Sequence, residues 1–487
     1  MRIGQTSIIV FLAKFLGAAL GFVATLAFAR IVGAGVLGIY VLVLTITKWA
    51  SFTSNLGIGS ATTKRISEDQ EPEAFLAAGV LLVTGIAVVV SMIIVAGRPI
   101  IESYVGGFSE YTSLSVIWFI VIILFINIFY TFPRLILNGE RRVHIATLLE
   151  PIRQASQGIL QIALVIAGFG LVGMLTGYII GGLLVGLVGL YLLKLQPESP
   201  SVHHFKSLFD YAKYSWIGKL KSRVFNDIDI LILGVFVPSA AVGIYTVAWS
   251  LSSFLALFGN SIRSTLFPEI SYSSSQESIE TVRGYVEDSL SYTGLVVIPG
   301  FVGGFLLAEE LMLIYGIEFI DGAAVLWILI LAILIYAYQK QFVNALNGID
   351  RPDLSFRVNV LFAGFNAGLN LMLIPRYGIE GAAIASVASV MVAMALAYYY
   401  LNRLLTFTLP VGEISRQIGA SLSMGVIVVL AQDAIRITDL LQHNILILLI
   451  LVTGGAATYF LTLLAISPDF RSTIKRNLPI TIPFIYE

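Results

Sequence analysis

The sequence predicts an all-α integral membrane protein of about fourteen spanning helices, arranged as two parallel six-helix repeats followed by a C-terminal helix pair. Three observations predict it. Hydrophobic residues make up 57% of the 487-residue chain and charged residues 12%, against about 25% charged in a soluble domain, and the mean hydropathy is +0.91. Apolar runs of roughly 18 or more residues recur from end to end, each long enough to cross about 30 Å of hydrocarbon. Short motifs also recur in order about 205–209 residues apart. Leu37-Gly38-Ile39-Tyr40 returns as Val242-Gly243-Ile244-Tyr245, and Lys14 falls on Lys219. Ile66-Ser67 returns as Ile270-Ser271, Leu137-Asn138-Gly139 as Leu346-Asn347-Gly348, and Gly170 and Gly173 as Gly378 and Gly381.

Hydropathy sets the spans near 8–29, 36–57, 74–96, 113–133, 146–168, 171–193, 212–237, 240–262, 284–308, 322–345, 355–374, 381–402, 415–432 and 443–465. The first has no small-residue cleavage site behind it and is expected to be a retained helix. The seventh is polar over its first half. Between the sixth and seventh lies Gln196-Pro197-Glu198-Ser199-Pro200-Ser201, whose turn formers suit a linker. It divides an N-lobe at 1–200 from a C-lobe at 201–410, and 411–487 has no counterpart in the repeat.

Basic residues orient the chain. With a cytoplasmic amino terminus, seventeen fall in inside loops and the tail, from Arg2, Lys64 and Arg65 to Lys475 and Arg476, and four outside, Arg30, Arg98, Arg376 and Arg436. This positive-inside bias puts both termini in the cytoplasm. Net charge is zero, which suggests no nucleic-acid partner. The absence of cysteine excludes disulfides and thiolate chemistry. Four histidines without a ligand cluster argue against metal. No Gly-rich run ends in Gly-Lys-Ser/Thr, so ATP hydrolysis by the chain is not expected. No loop is long enough to resemble the catalytic segment of a membrane glycosyltransferase or polymerase. Two parallel repeats in a membrane point to transport, because similar lobes can rock about a central site.

Polar groups inside the spans mark candidate sites, since each is costly in hydrocarbon. Glu150, Gln154, Gln157 and Gln161 form one stripe at helical spacing. The repeat offset carries Glu150, Gln157 and Gln161 onto Asn359, Asn366 and Asn370. Such stripes either bond packed helices together or line a polar cavity. The cations are Lys14, Lys48, Arg153, Lys219, Lys221, Arg223 and Lys340. Lys14 and Lys340 lie close enough to helix ends to snorkel. Lys48 is about 12 residues, or roughly 18 Å, into its span. It needs a counter-charge, a polar cavity or an anionic ligand. Lys219, Arg223 and Asp227 share a helix face and can pair within it, and Asp229 lies near Lys221 on another face. Gly181, Gly182, Gly186 and Gly189 are spaced for close helix packing.

These residues resemble a family. The segment Arg30 to Tyr40, with Gly33, Gly35 and Gly38-Ile39-Tyr40, is similar to the first extracellular turn of the O-antigen-type polysaccharide-biosynthesis flippases. So are Asp229 to Gly234 followed by Val242-Gly243-Ile244-Tyr245, Leu346-Asn347-Gly348 with Arg351-Pro352, and Tyr377-Gly378 through Gly381 to Ser386. The resemblance spans about the whole chain, through mostly structural motifs. It implies a V-shaped bundle, in the superfamily that includes multidrug exporters of the MATE type and murein lipid II flippases. It implies that an isoprenoid-(di)phosphate-linked glycan crosses the plasma membrane by alternating access without a cofactor, and it leaves the coupling ion, Na+ or H+, open. It also implies a monomer working beside the glycosyltransferases of its pathway, without enzymatic activity. On that footing Lys14, Lys48, Arg153, Lys219, Arg223 and Lys340 are expected to hold the anion, and Gln157, Gln161, Asn366 and Asn370 the sugar or water. A MATE-type exporter would favour acids facing the cavity, which keeps Asp227 and Asp229 in play. A lipid II flippase would share the cationic cavity.

Overall fold

The computed structural model describes residues 3–68, 70–276, 279–438 and 444–477, with side chains described throughout except at 3–19, 214–226, 257–268, 275–276, 436–438, 444 and 475–477. No strand occurs among the described residues. The helices run in order as α1 (Ile3–Asn55), α2 (Ile58–Ser67), α3 (Pro72–Ala96), α4 (Arg98–Tyr104), α5 (Val116–Gly139), α6 (Val143–Leu164), α7 (Gly170–Tyr191) and α8 (Val202–Phe236). They continue as α9 (Ser239–Gln276), α10 (Ile279–Leu306), α11 (Ala308–Leu313), α12 (Ala323–Gly348), α13 (Pro352–Leu404), α14 (Val411–Thr438), α15 (Asn444–Ile466) and α16 (Pro468–Asn477). Ten helical runs among the described residues are long and apolar enough to cross a membrane. The protein is a multi-pass membrane protein.

The sequence places breaks between spans near 30–36 and 374–381, and at each place two helices meet at a non-helical glycine within the continuous runs α1 and α13. A straight helix of 53 residues would reach about 80 Å at 1.5 Å per residue, more than twice the hydrocarbon thickness. Each therefore bends at one glycine: Gly33 (φ 79°, ψ 174°) in α1 and Gly378 (φ 55°, ψ −134°) in α13. Gly170 between α6 and α7 has nearly the same backbone as Gly378, at φ 48°, ψ −127°. A Cβ at these angles would meet the following carbonyl, so only glycine adopts them without strain.

The helix ends after Leu-Asn-Gly also match. Arg141 and Asp350 take φ of 60° and 58°. The amides of Arg142 and Arg351 each donate to the leucine carbonyl five residues back, Leu137 and Leu346, at 2.9 Å. Both are Schellman-type ends closed by a non-glycine left-handed residue.

By compactness the chain divides into Met1–Thr246 and Val247–Glu487. In the first unit α2, α3, α5 and α8 share a core of Ile58, Ile66, Phe75, Leu76, Phe132 and Leu208. The glycines of α7 pack as their spacing predicts, Gly181 on the backbone of Gln157, Gly182 on Ile126, Gly186 on Phe129 and Gly189 on Pro133. Residues 192–201 are tied to this unit. The amides of Lys194 and Leu195 donate to Glu140, and that of Glu198 to the Glu73 carbonyl. Ser201 and His204 cap α8, with His204 Nε2 2.9 Å from Glu71.

In the second unit α10, α12, α13, α14 and α15 pack together. Ile270 abuts Gly348 and Ser274 donates to the Gly348 carbonyl, just as Ile66 abuts Gly139 in the first unit. Glu413 is buried and accepts from Ser467 at 2.7 Å and from Arg416 at 3.1 Å. Gln417 donates to the Ser291 carbonyl, joining α14 to α10.

Candidate functional site

The counter-charge that Lys48 requires comes from α8. Lys48 Nζ lies 3.8 Å from Asp227 Oδ1, with the lysine side chain 46% exposed and the aspartate 7%. An ammonium held so far from a helix end is stabilised by such a partner. Two residues on, Asp229 accepts a 2.8 Å hydrogen bond from the Tyr245 hydroxyl. Tyr104 on α4 donates to the Leu231 carbonyl at 2.9 Å. These bonds fix the half of α8 that carries both aspartates.

A second polar cluster joins α1, α5, α6 and α7. The Arg153 guanidinium binds Glu150 and Gln157 and sits 4.8 Å from the Tyr130 ring centre. Arg134 reaches the same Glu150 at 2.9 Å. Gln157 donates to the Tyr178 carbonyl at 3.0 Å. Gln161 donates to the Met174 carbonyl at 2.8 Å and to the Tyr40 hydroxyl at 2.6 Å. Tyr178 in turn donates to Asn127, whose amide nitrogen lies 3.3 Å from Ser51. Tyr40, Asn127 and Tyr178 are not among the residues expected from sequence. Tyr40 lies in the repeated Gly-Ile-Tyr motif, which marks it, whereas Asn127 and Tyr178 have no repeat or stripe to mark them, although a lone Asn at position 127 carries the desolvation cost that could have found it.

The other expected residues divide as follows. Asn366 and Asn370 lie in the second unit, both buried, and Asn370 donates to Asn366 at 3.1 Å. Lys340 belongs to the same unit, with its ammonium 5.2 Å from the Tyr336 ring centre. The side chains of Lys14, Lys219 and Arg223 lie outside the described residues, as does that of Lys221. Lys48 and Arg153 are thus matched to different acids, Asp227 and Glu150. Among the described residues no three His, Asp or Glu side chains converge as a metal site. Outside the spans, a hydrogen bond from Arg65 holds the Glu68 carboxyl below its usual range.

A polytopic helical bundle with ion-paired charge inside its spans is the architecture of a membrane transporter. Residues 27–324 match the family model described as "Polysaccharide biosynthesis protein", and the chain belongs to that family. It is 30% identical to the "Probable flippase AglR" of Haloferax volcanii, over 98% of both chains. It is 29% identical to the "Probable low-salt glycan biosynthesis flippase Agl15" of the same organism, over 99% of this chain and 100% of that one. Among solved structures it superposes on "Lipid II flippase MurJ, inward closed conformation" with a TM-score of 0.78, at 16% identity, covering 96% of this chain and 100% of that one. An inward-facing MATE-family multidrug resistance transporter matches with a TM-score of 0.63, at 15% identity, over 80% of this chain and 94% of that one. These structures share the fold.

Proposed function

We propose that the protein is a flippase that moves an isoprenoid-(di)phosphate-linked oligosaccharide from the cytoplasmic to the outer leaflet of the plasma membrane by alternating access. The observation that carries this is the half-exposed Lys48 ammonium facing Asp227 in mid-span. A phosphate can compete there with a carboxylate for the same cation, and full-length relatives are named as flippases. Fourteen spans in two six-helix lobes, 1–200 and 201–410, with helices thirteen and fourteen in 411–487, remain the arrangement we favour. The matched turns at Gly170 and Gly378 and at Arg141 and Asp350 support it. Lys14, Lys219, Arg223 and Lys340 join Lys48 as anion-binding residues. Arg153 is the remaining cation of that set, and Gln157, Gln161, Asn366 and Asn370 serve the glycan or the hydration of its path. Na+ or H+ supplies the driving force, and glycosyltransferases of the same pathway supply the substrate to a monomeric transporter. A MATE-type exporter is the weaker reading, because Asp227 and Asp229 already face Lys48 and Tyr245. A lipid II substrate would use the same cationic chemistry, and competition between the two glycolipids in a transport assay separates them.

Orientation is tested with the cysteine-free chain. Cysteines placed at Ser109 and Thr438 should react from outside with an impermeant maleimide, and one at Ser199 should react only after permeabilisation. The opposite pattern would overturn the cytoplasmic placement of the termini.

A further inference from the structure

On the outside of the first unit, α3, α5, α7 and residues 193–197 enclose a groove of about 850 Å3. Its walls are apolar, with Leu76 and Val80 from α3, Phe125 and Phe129 from α5, and Leu183 and Leu190 from α7. One end is polar, where Lys194 and Gln196 close it. The flanking side chains Val80, Leu81, Leu183 and Leu190 are exposed, so in a multi-pass membrane protein they face hydrocarbon. Along α5 the groove runs from Phe125 to Ile136, about 17 Å at 1.5 Å per residue. That is close to half of a bilayer core about 30 Å thick, which matches a chain from one leaflet.

The charge at the polar end selects the head of that chain. Glu140, beside it, accepts from the amides of Lys194 and Leu195 and from Arg142 at 3.1 Å. Its negative charge is therefore matched by Arg142, and Lys194 adds net positive charge at the mouth. A single cation above an apolar slot suits a singly charged phosphodiester head on a hydrocarbon tail.

We propose that this groove seats one hydrocarbon chain of an anionic phospholipid from the cytoplasmic leaflet, with its phosphodiester at Lys194. The bound lipid extends the linker's attachment to α3, α5 and α7 and makes the first unit dependent on bilayer charge. The leaflet assignment rests on the orientation proposed above; the binding test below does not.

The test uses the full chain purified in micelles containing equal phosphatidylglycerol and phosphatidylcholine, with retained lipid read by native mass spectrometry. The wild type should keep phosphatidylglycerol through detergent exchange in preference to phosphatidylcholine. Val80→Trp with Leu183→Trp fills the slot and should weaken retention about tenfold, the loss expected when about two methylenes of chain contact are removed. Lys194→Gln should abolish the preference for the anionic head while leaving retention of chains intact, and Lys194→Arg should preserve it. Lys194 is exposed, so these two variants read the site without disturbing the core. Unchanged retention in the filled variant, or unchanged preference in Lys194→Gln, would overturn the site. Displacement of phosphatidylglycerol by undecaprenyl phosphate at equal concentration would overturn the assignment of the occupant and give the groove to the carrier lipid.

Discussion

Lys48→Gln is expected to lower translocation of a phosphate-linked glycolipid at least about tenfold, the effect of about 1.4 kcal/mol of lost binding, while the protein still inserts. Removing the ammonium also takes one partner from Asp227, whose side chain is only 7% exposed. A fully buried pair broken on one side costs about 3–5 kcal/mol. The cost here is smaller, because Lys48 is half-exposed and the pair is not fully buried. The double variant Lys48→Gln with Asp227→Asn separates the two effects, because it removes the acid's charge as well. If Lys48 only holds the helices together, the double variant recovers both protein level and transport. If Lys48 holds the substrate phosphate, it recovers protein level alone. Lys48→Arg should keep most activity, since charge is the property at issue. Full activity in Lys48→Ala combined with Lys219→Ala would remove both lysines from the substrate path.

The second large effect is expected at Gly38 and Gly243, where α1 and α9 cross backbone to backbone. A Cβ on Gly38 would lie 1.7 Å from the Ser239 carbonyl oxygen, and one on Gly243 would lie 2.2 Å from that of Ala34. The contact is reciprocal between positions that the repeat equates, Ala34 with Ser239 and Gly38 with Gly243. Both obstacles are backbone, so neither can turn aside. Gly38→Ala must push the helices apart, at the about 1–3 kcal/mol typical of overpacking or more. In the proposed topology this crossing lies at the outer end of the spans, and alternating access requires it to close and part. Gly38→Ala or Gly243→Ala should bias the protein toward the parted state and cut turnover about tenfold or more. Gly35→Ala is the control, because nothing lies within 4 Å of its added Cβ. Equal activity in Gly38→Ala and Gly35→Ala would show that the crossing plays no part in turnover.

The all-helical class, the glycine turns and the Leu-Asn-Gly ends were legible because they depend on local forces. Hydropathy marks spans without reference to neighbours, and a left-handed residue after Asn-Gly is set by hydrogen bonds a few residues long. The breaks that hydropathy sets near 30–36 and 374–381 fall at Gly33 and Gly378, where two helices meet at a non-helical glycine. The partner of Lys48 was not legible. In the sequence Asp227 shares a helix face with Lys219 and Arg223, and only packing of α8 against α1 brings it to 3.8 Å from Lys48. The stripe of Glu150, Gln157 and Gln161 was legible by periodicity. That Tyr40, Asn127 and Tyr178 are its partners was not, because they come from three other helices; only Tyr40 carries a sequence mark, the repeated Gly-Ile-Tyr motif.

The central claim is that this chain carries a lipid-linked glycan between leaflets, and reconstitution tests it directly. Purified protein is placed in vesicles with a polyprenyl-diphosphate-linked oligosaccharide, and the glycan exposed outside is followed with an impermeant glycosidase under imposed Na+ and H+ gradients. The account predicts glycan exposure that depends on the protein and rises above that of empty vesicles, and that falls with Lys48→Gln. Glycan exposure equal to empty vesicles under every gradient, in vesicles where the same protein expels a cationic dye, would contradict it and favour the exporter.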